Sequence, residues 1–238
     1  MPVIVYSANL CLLATTVCSS LLSNEERGQA ARIANNAARE EFVKSRALLR
    51  GLLAQHTGVP AQNLDLVAGP FGKPQLADGC GLHFNISHSG GMALVAISSE
   101  EIGIDIERMD MPADHRGVAQ TVFAPSEIET LESADASNLS ETFFSLWTRK
   151  EAYLKATGQG FSSDLGAIST AAGARVQDAS CEAGDGTWYV HDLPVQAGFK
   201  AALATPFGTP DVTLINLGTA REIAETCPAL APVSLAAA

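Results

Sequence analysis

Two short stretches of this chain carry side chains that could act together on a phosphate. In Gly103-Ile104-Asp105-Ile106-Glu107, aliphatic and acidic residues alternate. Successive side chains of a strand point to opposite faces, so Ile104 and Ile106 share one face and Asp105 and Glu107 the other. Carboxylates about 7 Å apart on one face repel unless water or a cation intervenes. A hard cation such as Mg²⁺ takes one or two such oxygens together with those of a substrate phosphate. A solvent-facing edge, or Glu107 paired with Arg108, would read the same way. The second stretch runs from Trp147 through Lys150 and Glu151 to Lys155. On a helix, Glu151 and Lys155 face each other at a spacing of four. Lys150 falls in an apolar stripe of Phe143, Leu146, Trp147 and Leu154, where a charge needs a partner unless it snorkels to water.

Cations recur elsewhere. Gly72-Lys73-Pro74 presents an ammonium from a loop that Pro74 stiffens, although a plain surface turn has the same composition. Ile86-Ser87-His88-Ser89 ends a strand pattern. Arg32, Arg39, Arg46 and Arg50 fall near one face if residues 23–56 form one continuous helix, beside Phe42, Leu49 and Leu53. Guanidinium matches phosphate geometry, but Glu40 and Glu41 could equally neutralise a solvated face.

The elements that must position these groups follow from periodicity and turn residues. Ser23 and Glu26 form a capping-box pattern ahead of the arginine-bearing helix. Strands are expected at Val3–Tyr6, Leu82–Ser87, Met92–Ser98 and Ile102–Glu107. A short helix begins at Pro125, and the Trp147 helix is capped by Ser140 and ended by Gly158 and Gly160. Further strands are expected at Gly166–Thr170, Thr187–Asp192, Phe199–Ala204 and Val212–Leu217. Helices followed by a strand set occur twice, and Gly91–Ser98 rhymes weakly with Gly198–Thr205. Such a repeat predicts two similar α+β halves: residues 1–104, residues 105–227, and a loosely ordered Ala- and Pro-rich tail over 228–238.

With 238 residues, 47% of them hydrophobic, the chain can bury a sizeable core. A net charge of −11 argues against nucleic acid or an anionic membrane as partner. Five cysteines without paired or metal-ligand spacing suggest reduced thiols and a cytoplasmic protein. The apolar start has no Lys or Arg before its apolar run, unlike a secretory leader. No uninterrupted apolar run is long enough to span a bilayer.

In their order and spacing, the four motifs resemble those of the Sfp-type 4′-phosphopantetheinyl transferases. The likeness is strong from about Phe71 to Phe161 and weaker back to Leu22, and the acidic strand and the Glu151 helix in tandem are its specific part. The resemblance implies two pseudo-twofold-related α+β halves with the active site between them, in a monomer. It implies Mg²⁺-dependent transfer (with Mn²⁺ able to replace Mg²⁺) of phosphopantetheine from coenzyme A to a serine of an apo acyl or peptidyl carrier protein. Carried over by position, Asp105, Glu107 and Glu151 would hold the metal. Glu151 would be the general base, directly or through a metal-bound water, with Lys155 as the alternative, and Lys155 would contact the pyrophosphate with Lys150 nearby. Lys73, Ser87 and His88 would bind the 3′-phosphate end, with Pro74 and the Gly72 backbone near the adenine. Some relatives place lysines for the 3′-phosphate where this chain has Glu26 and Gln29; Arg39 and Arg46 match arginines used by others. Two rival readings remain. A coenzyme A- or nucleotide-binding protein without transfer activity would not need Asp105, Glu151 and Lys155 together. A metal-dependent pyrophosphate-cleaving hydrolase would not need a carrier surface.

Overall fold

Alternating apolar residues put the first strand, β1 (Pro2–Asn9), inside a sheet: Val3 and Val5 face one way, Ile4, Tyr6 and Ala8 the other. The computed structural model describes residues 2–69, 72–77, 81–158, 165–170, 175–177 and 186–231. Pro70, Phe71, Cys80, Gly160, Phe161, Cys181 and tail residues 232–238 lie outside the described residues. Three helices follow β1: α1 (Thr15–Leu21), α2 (Asn24–Arg32) and α3 (Asn36–Thr57). The capping box at Ser23 and Glu26 starts α2. The helical pattern over 23–56 is not one continuous helix: the chain breaks at residues 33–35, where the Asn35 side chain accepts from the Ala38 amide and caps α3. Arg32 therefore sits on a different helix from the other three arginines. Arg50 is 1% exposed and bonds Glu26 Oε2 at 2.6 Å and the carbonyls of Ala61 and Leu64. Glu26 thus serves both a helix cap and a buried ion pair.

A small hairpin, β2 (Leu66–Ala68) and β3 (Pro74–Leu76), leads into β4 (His83–Ser89), β5 (Met92–Ser98) and β6 (Gly103–Arg108). Next come α4 (His115–Val122), α5 (Pro125–Glu132) and α6 (Leu139–Thr157), the helix of Glu151. Asn138, not Ser140, occupies the position before α6; Gly158, at φ 69°, takes the left-handed conformation that ends it. The strand expected at Gly166–Thr170 is instead a 3-10 turn over Leu165–Ala167. Strands β7 (Arg175–Gln177), β8 (Thr187–Asp192), β9 (Phe199–Thr205) and β10 (Asp211–Leu217), then α7 (Ala220–Thr226), complete the order.

Among the described residues, the strands outside the β2–β3 hairpin form two four-stranded sheets, ordered β10-β1-β5-β4 and β6-β9-β8-β7. All pairings are antiparallel except β1 with β10, where Val3 lies opposite Val212. The chain's last strand and helix therefore return to the first half, and the sheets do not divide at one point in the sequence. The 3-10 turn Pro228–Leu230 also docks there, with Leu230 buried near Gly51 of α3.

Three apolar clusters stack the layers. Leu48, Leu49, Leu52 and Leu53 of α3 meet Phe84, Val95 and Ile97 on the first sheet. Val3, Val5, Leu94 and Ala96 on its other face meet Ile104, Ile106, Ala201 and Leu203 of the second. Phe143, Leu146, Tyr153 and Leu154 of α6 pack with Trp188, Val190, Ala202 and Ala204. The result is the expected two-half α+β fold, layered helix–sheet–sheet–helix. Its seam is the β4–β6 boundary, where buried Asn85 accepts the Ile104 amide at 2.9 Å.

Candidate active site

The alternation along β6 sets the geometry. Ile104 and Ile106 enter the inter-sheet core, and the opposite face of the strand turns to α6. Gly103 lets the helix in: a Cβ there would lie 2.0 Å from the Ala152 carbonyl oxygen and 2.3 Å from the Ala156 nitrogen. With that close approach, Asp105, Glu107, Glu151 and Lys155 line one cavity of about 350 Å³. Asp105 is 1% exposed. Its Oδ1 accepts from Lys155 Nζ at 2.6 Å and from Ser87 Oγ at 2.7 Å, and Lys155 also donates to Ser87 Oγ at 2.9 Å. Ser89 Oγ donates to Glu107 Oε2 at 2.7 Å, and the Trp147 side chain lies near enough to Glu107 to lower its pKa. Sequence reasoning missed these last two contacts. Ser89 and Glu107 lie on different strands, and Trp147 is one turn of α6 away from Glu151.

Crowding of acids in a partly dry cleft shifts their titration. Burial pushes the Glu151 carboxyl up to about 7; Asp105 and Glu107 push the same way and Lys155 opposes them. Glu107 is also raised, by burial and then by Asp105, against the lowering effect of Ser89, Lys155 and Trp147. Asp105 Oδ2 is buried without a hydrogen-bond partner, an arrangement that costs free energy unless something binds the oxygen. No three His, Cys, Asp or Glu side chains are gathered closely enough to hold a metal ion among the described residues. The chemistry of the acids is nevertheless that of a hard-cation donor set: three carboxylates line one cavity, and one of them has an orphaned buried oxygen.

The other wall comes from the first half. Arg46 lines both the acid-bearing cavity and an adjoining one of about 230 Å³, which also touches Gly72, Lys73, Pro74, Glu151 and Lys155. Burial, and then Arg50, lowers the Arg46 pKa, while Glu26 opposes. His88 stands at the mouth, with Nδ1 3.6 Å from Glu41 Oε1, which also accepts the Gly91 amide at 3.1 Å. Burial pulls the His88 pKa below the usual imidazole value, Glu41 pulls it back, and Lys155 and Arg46 lower it further. An anion entering here would meet Arg46, His88 and Lys155 together.

Other residues singled out from the sequence have different surroundings. Ser87 sits at the acidic end, between Asp105 and Lys155. Arg39 lines a separate cavity among α1, α2 and α3 and bonds Asn36 and the Ile33 carbonyl. Lys150 turns away from the cleft: it is 1% exposed and pairs with Glu127 at 2.9 Å, and it donates to the carbonyls of Leu165 and Ile168. Glu127 in turn accepts from the Ala124 and Thr170 amides. The charge in the apolar stripe has its partner inside the second half. Lys73 donates to Glu101, and its role is bound up with that contact.

Comparison with known proteins bears on this arrangement. The pattern of the 4′-phosphopantetheinyl transferase superfamily matches residues 101–204, and that of the 4′-phosphopantetheinyl transferase N-terminal region matches residues 14–101. A putative 4′-phosphopantetheinyl transferase of Synechocystis is 38% identical over 152 residues, 63% of this chain and 62% of that protein. The 4′-phosphopantetheinyl transferase HetI of Nostoc is 38% identical over 146 residues, 60% and 62% of the two chains. The 4′-phosphopantetheinyl transferase Sfp of Bacillus subtilis is 28% identical over 201 residues, 83% and 88% of the two. The chain thus spans 62% of the length of each of the first two relatives. With the two patterns meeting at residue 101, beside the seam between the sheets, the chain belongs to the 4′-phosphopantetheinyl transferase superfamily.

Proposed function

We propose that this protein transfers 4′-phosphopantetheine from coenzyme A to a serine hydroxyl of an apo acyl or peptidyl carrier protein, with Mg²⁺, releasing adenosine 3′,5′-bisphosphate. The observation that carries this reading is the meeting of acids from β6 and α6 in one cleft whose far wall is cationic. Arg46 and His88 receive the 3′-phosphate end of coenzyme A, and Pro74 with the Gly72 backbone walls the adenine. Lys155 passes from Asp105 to the pyrophosphate, where its charge offsets that of the non-bridging oxygens. Asp105, Glu107 and Glu151 would hold Mg²⁺, which supplies further neutralisation of the phosphate oxygens as the bond breaks.

Glu151 takes the serine proton. Before a cation is bound, burial raises this carboxyl to about 7, which makes it a stronger base than a free glutamate. A groove of about 360 Å³, lined in part by Val118, Phe143, Phe144 and Trp147, opens beside Glu107 and offers a carrier an apolar surface next to the acids. Both walls of the cleft come from one chain, which suits a monomer. The free thiols Cys11, Cys18 and Cys227 suit a reducing compartment such as the cytoplasm.

Incubation with coenzyme A, Mg²⁺ and a panel of apo carrier proteins, followed by intact-mass measurement, tests the reading. The expected result is a carrier heavier by one phosphopantetheinyl group. Cleavage of coenzyme A with an unmodified carrier would replace transfer by hydrolysis, and binding without cleavage would leave only a coenzyme A-binding protein.

A further inference from the structure

The Lys73 ammonium is fully engaged within the protein. It donates to Glu101 Oε2 at 2.6 Å, to the Ile102 carbonyl at 3.1 Å and to the Ala156 carbonyl at 3.2 Å, and its side chain is only 11% exposed. These acceptors belong to different parts of the fold. Glu101 and Ile102 lead into β6, the strand of Asp105 and Glu107. Ala156 lies in the last turn of α6, next to Lys155, where carbonyls have no partner within the helix and the macrodipole favours a cation. Lys73 itself precedes β3 in a hairpin whose strands are three residues each, none of them buried. Such a hairpin is marginal alone; among the described residues, Leu66 and Leu76 tie it to the first core. Glu101 has a second contact, His83 Nδ1 at 3.1 Å, which holds the acid in place from β4.

We infer that Lys73 is a positioning residue: its ammonium locks the β2–β3 hairpin to the start of β6 and the end of α6, and so fixes the width of the cleft, rather than gripping a phosphate of the substrate. The hairpin wall at Gly72 and Pro74 is thereby held opposite Glu151 and Lys155. Releasing Lys73 would loosen that wall for any ligand using it, with or without a 3′-phosphate. This consequence for turnover rests on the transferase reading; the mechanical lock does not.

The test compares the wild-type protein with Lys73→Met, which keeps the apolar stem, and Glu101→Gln, which keeps the shape of the acceptor. Amide hydrogen exchange is followed on the ligand-free proteins, and KM is measured for coenzyme A and for 3′-dephospho-coenzyme A in carrier loading. In Lys73→Met, the amides of Leu66–Ala68 and of Gln75 and Leu76 are expected to exchange roughly tenfold faster or more. Glu101→Gln is expected to act in the same direction with a smaller effect, and it decides the matter if Lys73→Met does not fold. Both KM values are expected to rise by the same factor, within about twofold, because the wall serves both ligands. Unchanged exchange in a folded Lys73→Met, or in Glu101→Gln where only that variant folds, would overturn the proposal. So would a rise in KM confined to coenzyme A. Should the wild type load no carrier, the transferase reading fails while the exchange data still decide the lock.

Discussion

Adding one methyl group at Gly103 should disable the site without touching any residue that meets a ligand. A Cβ at this position would lie 2.0 Å from the Ala152 carbonyl oxygen, 2.3 Å from the Ala156 nitrogen and 2.8 Å from its Cα, whereas ordinary contact begins at 3.4 Å. All three are backbone atoms of α6, so no side chain can rotate away. The helix must retreat by about 1.4 Å near Ala152, which flanks Glu151. Overpacking of this kind costs about 1–3 kcal/mol. In a chain of this size, a loss of about 2 kcal/mol lowers Tm by about 4–8 °C. A shift of about 1 Å in positioned groups can cost about 100-fold in rate. Gly103→Ala should therefore lower kcat of carrier loading by about two orders of magnitude, with a folded protein by circular dichroism. Gly28→Ala is the control: its Cβ would meet nothing nearer than Arg32 at 3.9 Å, and alanine is the better helix former. If Gly103→Ala kept wild-type kcat and Tm, β6 and α6 would not be locked backbone to backbone, and the positioning argument would fail.

The remaining expectations concern single groups. Lys150→Met should destabilise by about 3–5 kcal/mol in urea unfolding, because Glu127 is left as a buried charge without its cation; a loss of coenzyme A affinity without a loss of stability would return Lys150 to the cleft. Arg46→Ala should raise KM for coenzyme A by roughly tenfold or more, while Arg39→Ala stays within about twofold; the reverse order would mean that the cavity among α1, α2 and α3 is the phosphate site. Because folding raises the Glu151 pKa from 4.5 to about 7, the folded state binds more protons than the unfolded one across that window. Stability in EDTA should then be highest below pH 4.5 as far as this group is concerned and fall as pH rises to about 7. Glu151→Gln should flatten that slope in thermal melts, and an unchanged slope would assign it elsewhere.

The parts of this arrangement readable from sequence are those that depend on local periodicity. Period two separates Ile104 and Ile106 from Asp105 and Glu107, and the structure keeps that separation, with the isoleucines in the inter-sheet core. Helical spacing brings Glu151 and Lys155 to one cavity. What could not be read depends on partners distant in the chain. Lys150 is adjacent to Glu151 but about 100° around the helix, and its destination is set by Glu127 on α5. The arginine row assumed a continuous helix; the Asn35 cap breaks it, and Glu26 takes Arg50 into the core. The return of β10 to β1 is a parallel pairing between the two ends of the chain, for which a strand pattern carries no register. Lys73 looked like a loop cation because nothing local announces Glu101 or the Ala156 carbonyl as its acceptors.

The central claim is that Asp105, with its orphaned buried oxygen, joins Glu107 and Glu151 around a divalent ion that meets the coenzyme A pyrophosphate. Its most direct test is an electron paramagnetic resonance titration with Mn²⁺, with and without coenzyme A, on the wild type and on Asp105→Asn. The account predicts one bound ion in the wild type, held more tightly when coenzyme A is present, and loss of that binding in Asp105→Asn. Mn²⁺ binding that is indifferent both to coenzyme A and to the substitution would contradict it.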